Sequence, residues 1–279
     1  MRATPQMGVF QQPARILQEM CMWPALLLAL GAGLSTMIGS LLGLVMKNPG
    51  PRFISFTVGF SAGIMIFISF GELLPGAITT EGVGFLKAHV AFFSGMAGYF
   101  LIDLIVPHDY LGQHDHAQGK DEPLGLTPHH TMERTGVLVA LGLSIHNVPD
   151  GMAIFVAGAK EFRLGLAIAV AIAIHNIPMG LAISAPIYNA TGNRKKAFFW
   201  SFFSGLTGII GAGLAAIVLM PFLSDTVMGF VFAVVGGIMV VIAIDELVPA
   251  AKELSSEHTP MVGVIAGMIV TMITLWLLE

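Results

Sequence analysis

Two short segments of this chain set imidazoles, amides and a carboxylate at helical spacing. The first is His146-Asn147-Val148-Pro149-Asp150-Gly151; the second, 29 residues later, is His175-Asn176-Ile177-Pro178-Met179-Gly180. Positions four apart share a helix face, so His146 stands over Asp150 and His175 over Met179, while Asn147 and Asp150 meet at a spacing of three. Imidazole nitrogens and a carboxylate are ligands for divalent metals, and a thioether is a softer donor. Pro149 and Pro178 lack an N–H, which frees the carbonyls of Ile145 and Ile174. Gly151 and Gly180 allow a neighbouring helix to come close.

The elements that carry these segments follow from composition. Of 279 residues, 55% are hydrophobic and 11% are charged, against about 25% charged in a soluble domain. Such a chain cannot cover a water-facing surface, so the bilayer is its solvent. A spanning helix needs roughly 20 apolar residues. Eight stretches satisfy that: about 23–46, 53–74, 83–105, 134–158, 163–187, 196–220, 226–250 and 260–278. The breaks are marked by turn residues or charge, Pro75-Gly76 among them. The expected fold is an all-α integral membrane protein, one transmembrane domain over 1–279, with a polar loop at 107–133. The apolar run near the N-terminus is too long for a signal peptide's core and is read as a retained helix.

Several classes are excluded. A net charge of −4 without long charge runs argues against a nucleic-acid partner. The lone Cys21 precludes an internal disulfide or a Cys-x-x-Cys metal site. No His-Glu-x-x-His occurs, and the stretch Gly112 to Lys120 lacks the spacing and the hydroxyl of a phosphate loop. Binding rather than catalysis is the expectation, and the chain is not read as an enzyme.

A short loop joins the two motif-bearing helices, so they run antiparallel and both motifs fall near the bilayer centre. Ionisable groups at that depth are expensive; they face a cavity or a partner and mark ion paths. A lone membrane histidine is equally well explained as a hydrogen-bonding strut. Two copies at matched depth beside Asp150 favour a metal path.

The paired His-Asn-x-Pro segments resemble helices four and five of the ZIP (Zrt/Irt-like) metal transporters, nearest their bacterial zinc-uptake branch. The likeness extends over nearly the whole chain, including a His-bearing loop after helix three and Asp245-Glu246 in helix seven. It implies import of zinc, or of iron, manganese, cobalt or cadmium, across the plasma membrane. It also implies a 3+2+3 arrangement, in which the first and last three helices form an inverted repeat around helices four and five. Helices one, four, five and six would then move as a unit against the rest.

The chain departs from that pattern. Relatives near this branch carry His-Asn-x-Pro-Glu-Gly in both helices and a glutamate in Ser-Gly-x-x-Glu of helix six. Here those positions are Asp150, Met179 and Gly208. One carboxylate cannot balance two divalent ions in a low-dielectric site, so the expectation is a single metal held by His146, Asp150 and His175. Asn147, Asn176 or water would complete the shell. Met179 would favour softer ions if it faces inward, and ordinary packing is the alternative. The lost carboxylates also leave open a non-transporting membrane metal sensor derived from a carrier.

Other acidic and polar groups are secondary candidates. Glu72, beside Pro75, could collect cations at an outer entrance; Asp245 and Glu246 could receive them inside; Asp103 and Ser69 are further polar positions. The loop histidines, His108, His114, His116, His129 and His130, could bind zinc transiently or form a plain polar linker. The Lys and Arg distribution places both termini outside and loop 107–133 in the cytoplasm. The partners expected are a divalent cation and the bilayer; a homodimer is compatible, although the sequence does not fix the oligomeric state.

Overall fold

A computed structural model of the chain describes residues 11–46, 49–105, 128–219, 222, 224–255 and 258–278. Described residues are helical, with no strand among them. We number the rods α1 (Gln11–Val45), α2 (Pro51–Thr79), α3 (Gly84–Ile105), α4 (Pro128–Lys160), α5 (Phe162–Thr191), α6 (Arg194–Leu219), α7 (Asp225–Leu254) and α8 (Thr259–Leu278). Among the described residues, seven of these, all but α4, are long and apolar enough to cross a membrane. Loop 107–133 lies outside the described residues as far as 127; beyond that, α4 begins at Pro128, earlier than expected. A proline suits a first turn because its missing N–H would have no helical partner there.

The polarity is inside-out. Side chains such as Leu41, Phe93, Ile217 and Trp276 are exposed, whereas Ser61, Ser201, Ser204, both motif histidines and Asp150 are buried. In hydrocarbon this is the stable arrangement, since each buried polar group must find its partner within the protein.

Local chemistry sets the turns. A single residue, Glu161, separates α4 from α5, so the two motif helices form a tight antiparallel hairpin. Gly192 closes α5 in the left-handed region at φ 64°, its N–H bonded to Tyr188 O, a conformation that favours glycine. Asn193 Oδ1 then accepts from Lys196 N at 3.1 Å, and Ser224 Oγ accepts from Val227 N at 3.2 Å; both are N-caps.

Pro75-Gly76 does not break α2. Residues Ser69–Leu73 form a π-helical segment, and the rod runs on through Pro75 to Thr79. The wider turn accommodates a proline whose ring would otherwise clash with the carbonyl four residues earlier. Glu72 therefore lies within the rod rather than at its end. The same device recurs in α7, where Ile242–Leu247 is π-helical ahead of Pro249.

The rods fall into two groups. Helices α1, α4, α5 and α6 pack upon one another; α2 packs on α8, α3 on α7, and α2 on α7. Glycines make the closest approaches. A Cβ on Gly39 would lie 1.8 Å from Ile177 O, and one on Gly180 2.0 Å from Thr36 O; in the second group, one on Gly63 would lie 2.0 Å from Val264 O and one on Gly237 2.0 Å from Phe92 O. Among the described residues, each glycine that meets another rod this way does so inside its own group. Across the divide the contacts run between α2 and α5, α4 and α7, and α5 and α8.

Candidate metal centre

The α4–α5 hairpin presents both motifs to the interior at one level. His146 and His175 are fully buried (0% exposed), with Asp150 at 2% and Asn147 and Asn176 at 3%. The two imidazole rings face each other with centroids 6.4 Å apart and planes inclined by 34°. Ligand atoms of His146, Asp150 and His175 all lie within 4.8 Å of one another. The expected meeting of two imidazoles and one carboxylate across the hairpin is what the structure holds.

The hydrogen bonding is one-sided in a way that suits a cation. Asn147 Nδ2 donates to Ser204 O at 2.8 Å and to Ser204 Oγ at 3.0 Å on α6. Asn176 Nδ2 donates to Ala32 O at 2.8 Å on α1. Each amide is thereby fixed with its oxygen turned away from the bond. Those two oxygens, both oxygens of Asp150 and all four imidazole nitrogens are buried without a hydrogen-bond partner. An orphaned buried polar atom costs about 1–3 kcal/mol, so a static strut would not gather so many.

His175 Nε2 lies 3.3 Å from Asp150 Oδ2, yet neither makes a hydrogen bond. Two ligands on a tetrahedral zinc with bonds of about 2.0–2.1 Å sit about 3.3 Å apart. The imidazole and the carboxylate are thus spaced as two ligands of one ion.

Beside Asp150 is a small cavity of about 10 Å³, enough for about one water, lined by Asn147, Asp150, Asn176 and Gly208, among others from α1, α4, α5 and α6. Gly208 differs from its glycine neighbours: a Cβ there would meet Asn147 O at 3.4 Å, an ordinary contact, whereas one on Gly151 would lie 1.7 Å from Gly208 O. The position has room for a Cβ beside the cavity. Met179 is 1% exposed within the apolar core and is not among the residues lining this cavity.

Several features escaped the sequence reading. Ser204 and the Ala32 carbonyl aim the two amides, and a backbone acceptor leaves no residue-type signal. Glu246 accepts a hydrogen bond from Tyr99 at 2.5 Å. It also stands in Glu246-Leu247-Val248-Pro249, the counterpart of Glu72-Leu73-Leu74-Pro75; that repeat was visible in the sequence.

Buried donors converging at the centre of a lipid-facing helical bundle define a polytopic membrane protein with a group of side chains that could hold a metal ion. The chain belongs to the ZIP family: the family's model, described as ZIP Zinc transporter, matches residues 106–275. It is similar to the Zinc transporter ZupT of Salmonella paratyphi A (strain ATCC 9150 / SARB42) and to that of Salmonella newport (strain SL254). Each is 41% identical over 254 residues, covering 91% of this chain and 96% of the relative.

Proposed function

We propose that this chain is a secondary carrier that imports a divalent cation, zinc foremost, across the cytoplasmic membrane by alternating access. The observation that carries the reading is the buried trio His146, Asp150 and His175, whose ligand atoms converge without hydrogen-bond partners. One ion binds there, completed by Asn147 Oδ1, Asn176 Oδ1 or water. Two imidazoles and one carboxylate suit Zn²⁺, and also Co²⁺ and Fe²⁺; Mn²⁺ and Cd²⁺ are further substrates of the reading. Relatives named as zinc transporters over nearly their whole length favour a carrier over a sensor.

The 3+2+3 inverted repeat finds support in the register of the glycine contacts. Gly39 meets Ile177 as Gly211 meets Val148, and Gly180 meets Thr36 as Gly151 meets Gly208. Gly63 meets Val264 as Gly237 meets Phe92. A constant offset relates α1 to α6 in these pairs, and the two Glu-Leu-x-Pro segments extend the match to α2 and α7. The eighth span of this reading is α4, which is 33 residues long and antiparallel to α5. The group α1, α4, α5 and α6 then moves as one body, because the close glycine-to-backbone approaches among the described residues lie within each group and not across the divide. The basic residues put both termini outside.

Zinc uptake into proteoliposomes tests this. His146→Ala and His175→Ala should each lower uptake at least about 100-fold at limiting zinc, since losing even an outer-shell partner costs about 10–100-fold in affinity. If both variants accumulate zinc as the parent does, the reading fails.

A further inference from the structure

Among the described residues, a side-chain hydrogen bond crosses the divide beside the candidate metal centre. Ser61 Oγ on α2 donates to the carbonyl of His175 on α5 at 3.1 Å and shares its proton with Thr57 O on its own helix at 3.2 Å. Ser61 is fully buried. Its acceptor is the backbone of a residue whose imidazole belongs to the candidate metal trio.

We propose that Ser61 is a latch specific to one conformational state. It is a positioning residue that holds the backbone of His175 against α2 in the arrangement described here and releases it when the four-helix group moves. This rests on the carrier reading above. Three observations support it. The bond joins the two groups rather than two rods of one group, so relative motion must stretch it. Release leaves nothing stranded in a dry interface, because the hydroxyl keeps Thr57 O as acceptor. A bond that can be traded for one on its own helix is suited to repeated breaking, since an orphaned buried donor would otherwise oppose the motion.

The third observation is asymmetry. Aligning the Glu-Leu-x-Pro segments puts Val235 of α7 at the position of Ser61. Val235 is buried and carries no donor. The hydroxyl therefore favours one of two otherwise related packings, with α5 rather than α4 tethered. A hydrogen bond between membrane helices is worth about 0.6 kcal/mol on average, or about threefold in a two-state population ratio.

The test measures that ratio directly. Spin labels at Glu81→Cys and Glu161→Cys, in a Cys21→Ser background of the full chain in lipid nanodiscs, report the separation of the α2–α3 and α4–α5 turns by pulsed dipolar spectroscopy. The expected result is two distance populations whose weights shift about threefold away from the conformer described here in Ser61→Ala, with Ser61→Thr restoring the parent ratio. Two populations with weights unchanged by Ser61→Ala would overturn the latch and leave the moving group standing. A single population in the parent, with and without zinc, would overturn both. A lowered Tm with unchanged weights would make Ser61 a packing residue only and also overturn the proposal.

Discussion

At the residue scale, what distinguishes this site is charge count. Asp150 is the one carboxylate in the candidate metal trio, and it lies beside the His175 imidazole and lines the cavity. Replacing it with asparagine keeps the shape and removes the counter-charge, so zinc affinity should fall about 100-fold or more by calorimetry, with little change in Tm. Position 208 borders the cavity beside it and has room for a Cβ. Gly208→Glu should therefore raise the zinc retained per chain above that of the parent, measured by elemental analysis of purified protein. An unchanged ratio would show that carboxylate number does not set occupancy here.

At the element scale, the glycines decide how near the rods can lie. Gly151 and Gly180 sit where α4 meets α6 and α5 meets α1, with backbone oxygens where a Cβ would go. Overpacking of a close-fitted interior costs about 1–3 kcal/mol. Gly151→Ala and Gly180→Ala should each lower Tm by several degrees in a detergent melt, while Gly208→Ala should leave it within about a degree. The contrast matters because all three residues lie close to the metal centre, and space rather than position predicts the ranking. The π segments of α2 and α7 belong to the same scale. Each lets a rod continue past a proline, so that one continuous helix brings Glu72 or Glu246 inside its length.

At the scale of the whole molecule, the grouping of rods makes a prediction about motion. A bismaleimide bridge from Glu81→Cys to Glu161→Cys joins the two groups and should abolish zinc uptake. A bridge from Glu81→Cys to Thr226→Cys lies within one group, where Thr226 Oγ1 already donates to Glu81 O at 3.0 Å, and should leave uptake near the unbridged level. Uptake persisting through the first bridge would mean that the groups do not slide past one another.

Composition by itself determined the solvent, since a chain with so few charges has no water-facing surface to offer. The repeated His-Asn-x-Pro segments determined the chemistry, because residue type and spacing on one helix are local properties that survive folding unchanged. The Glu-Leu-x-Pro repeat is equally legible, although Pro75-Gly76 reads from sequence alone as a break. Proline signals a helix boundary from sequence, yet a π turn just before it can carry the rod on. Tertiary structure alone decided which atoms meet across helices. The aiming of Asn147 by Ser204 and of Asn176 by Ala32 O, the packing of Met179 away from the cavity lining, and the bond from Ser61 to His175 depend on how rods cross. Those crossings are set by backbone contact at glycines far apart in the chain. Spacing along one helix fixes a face; the partner of that face is fixed by another helix.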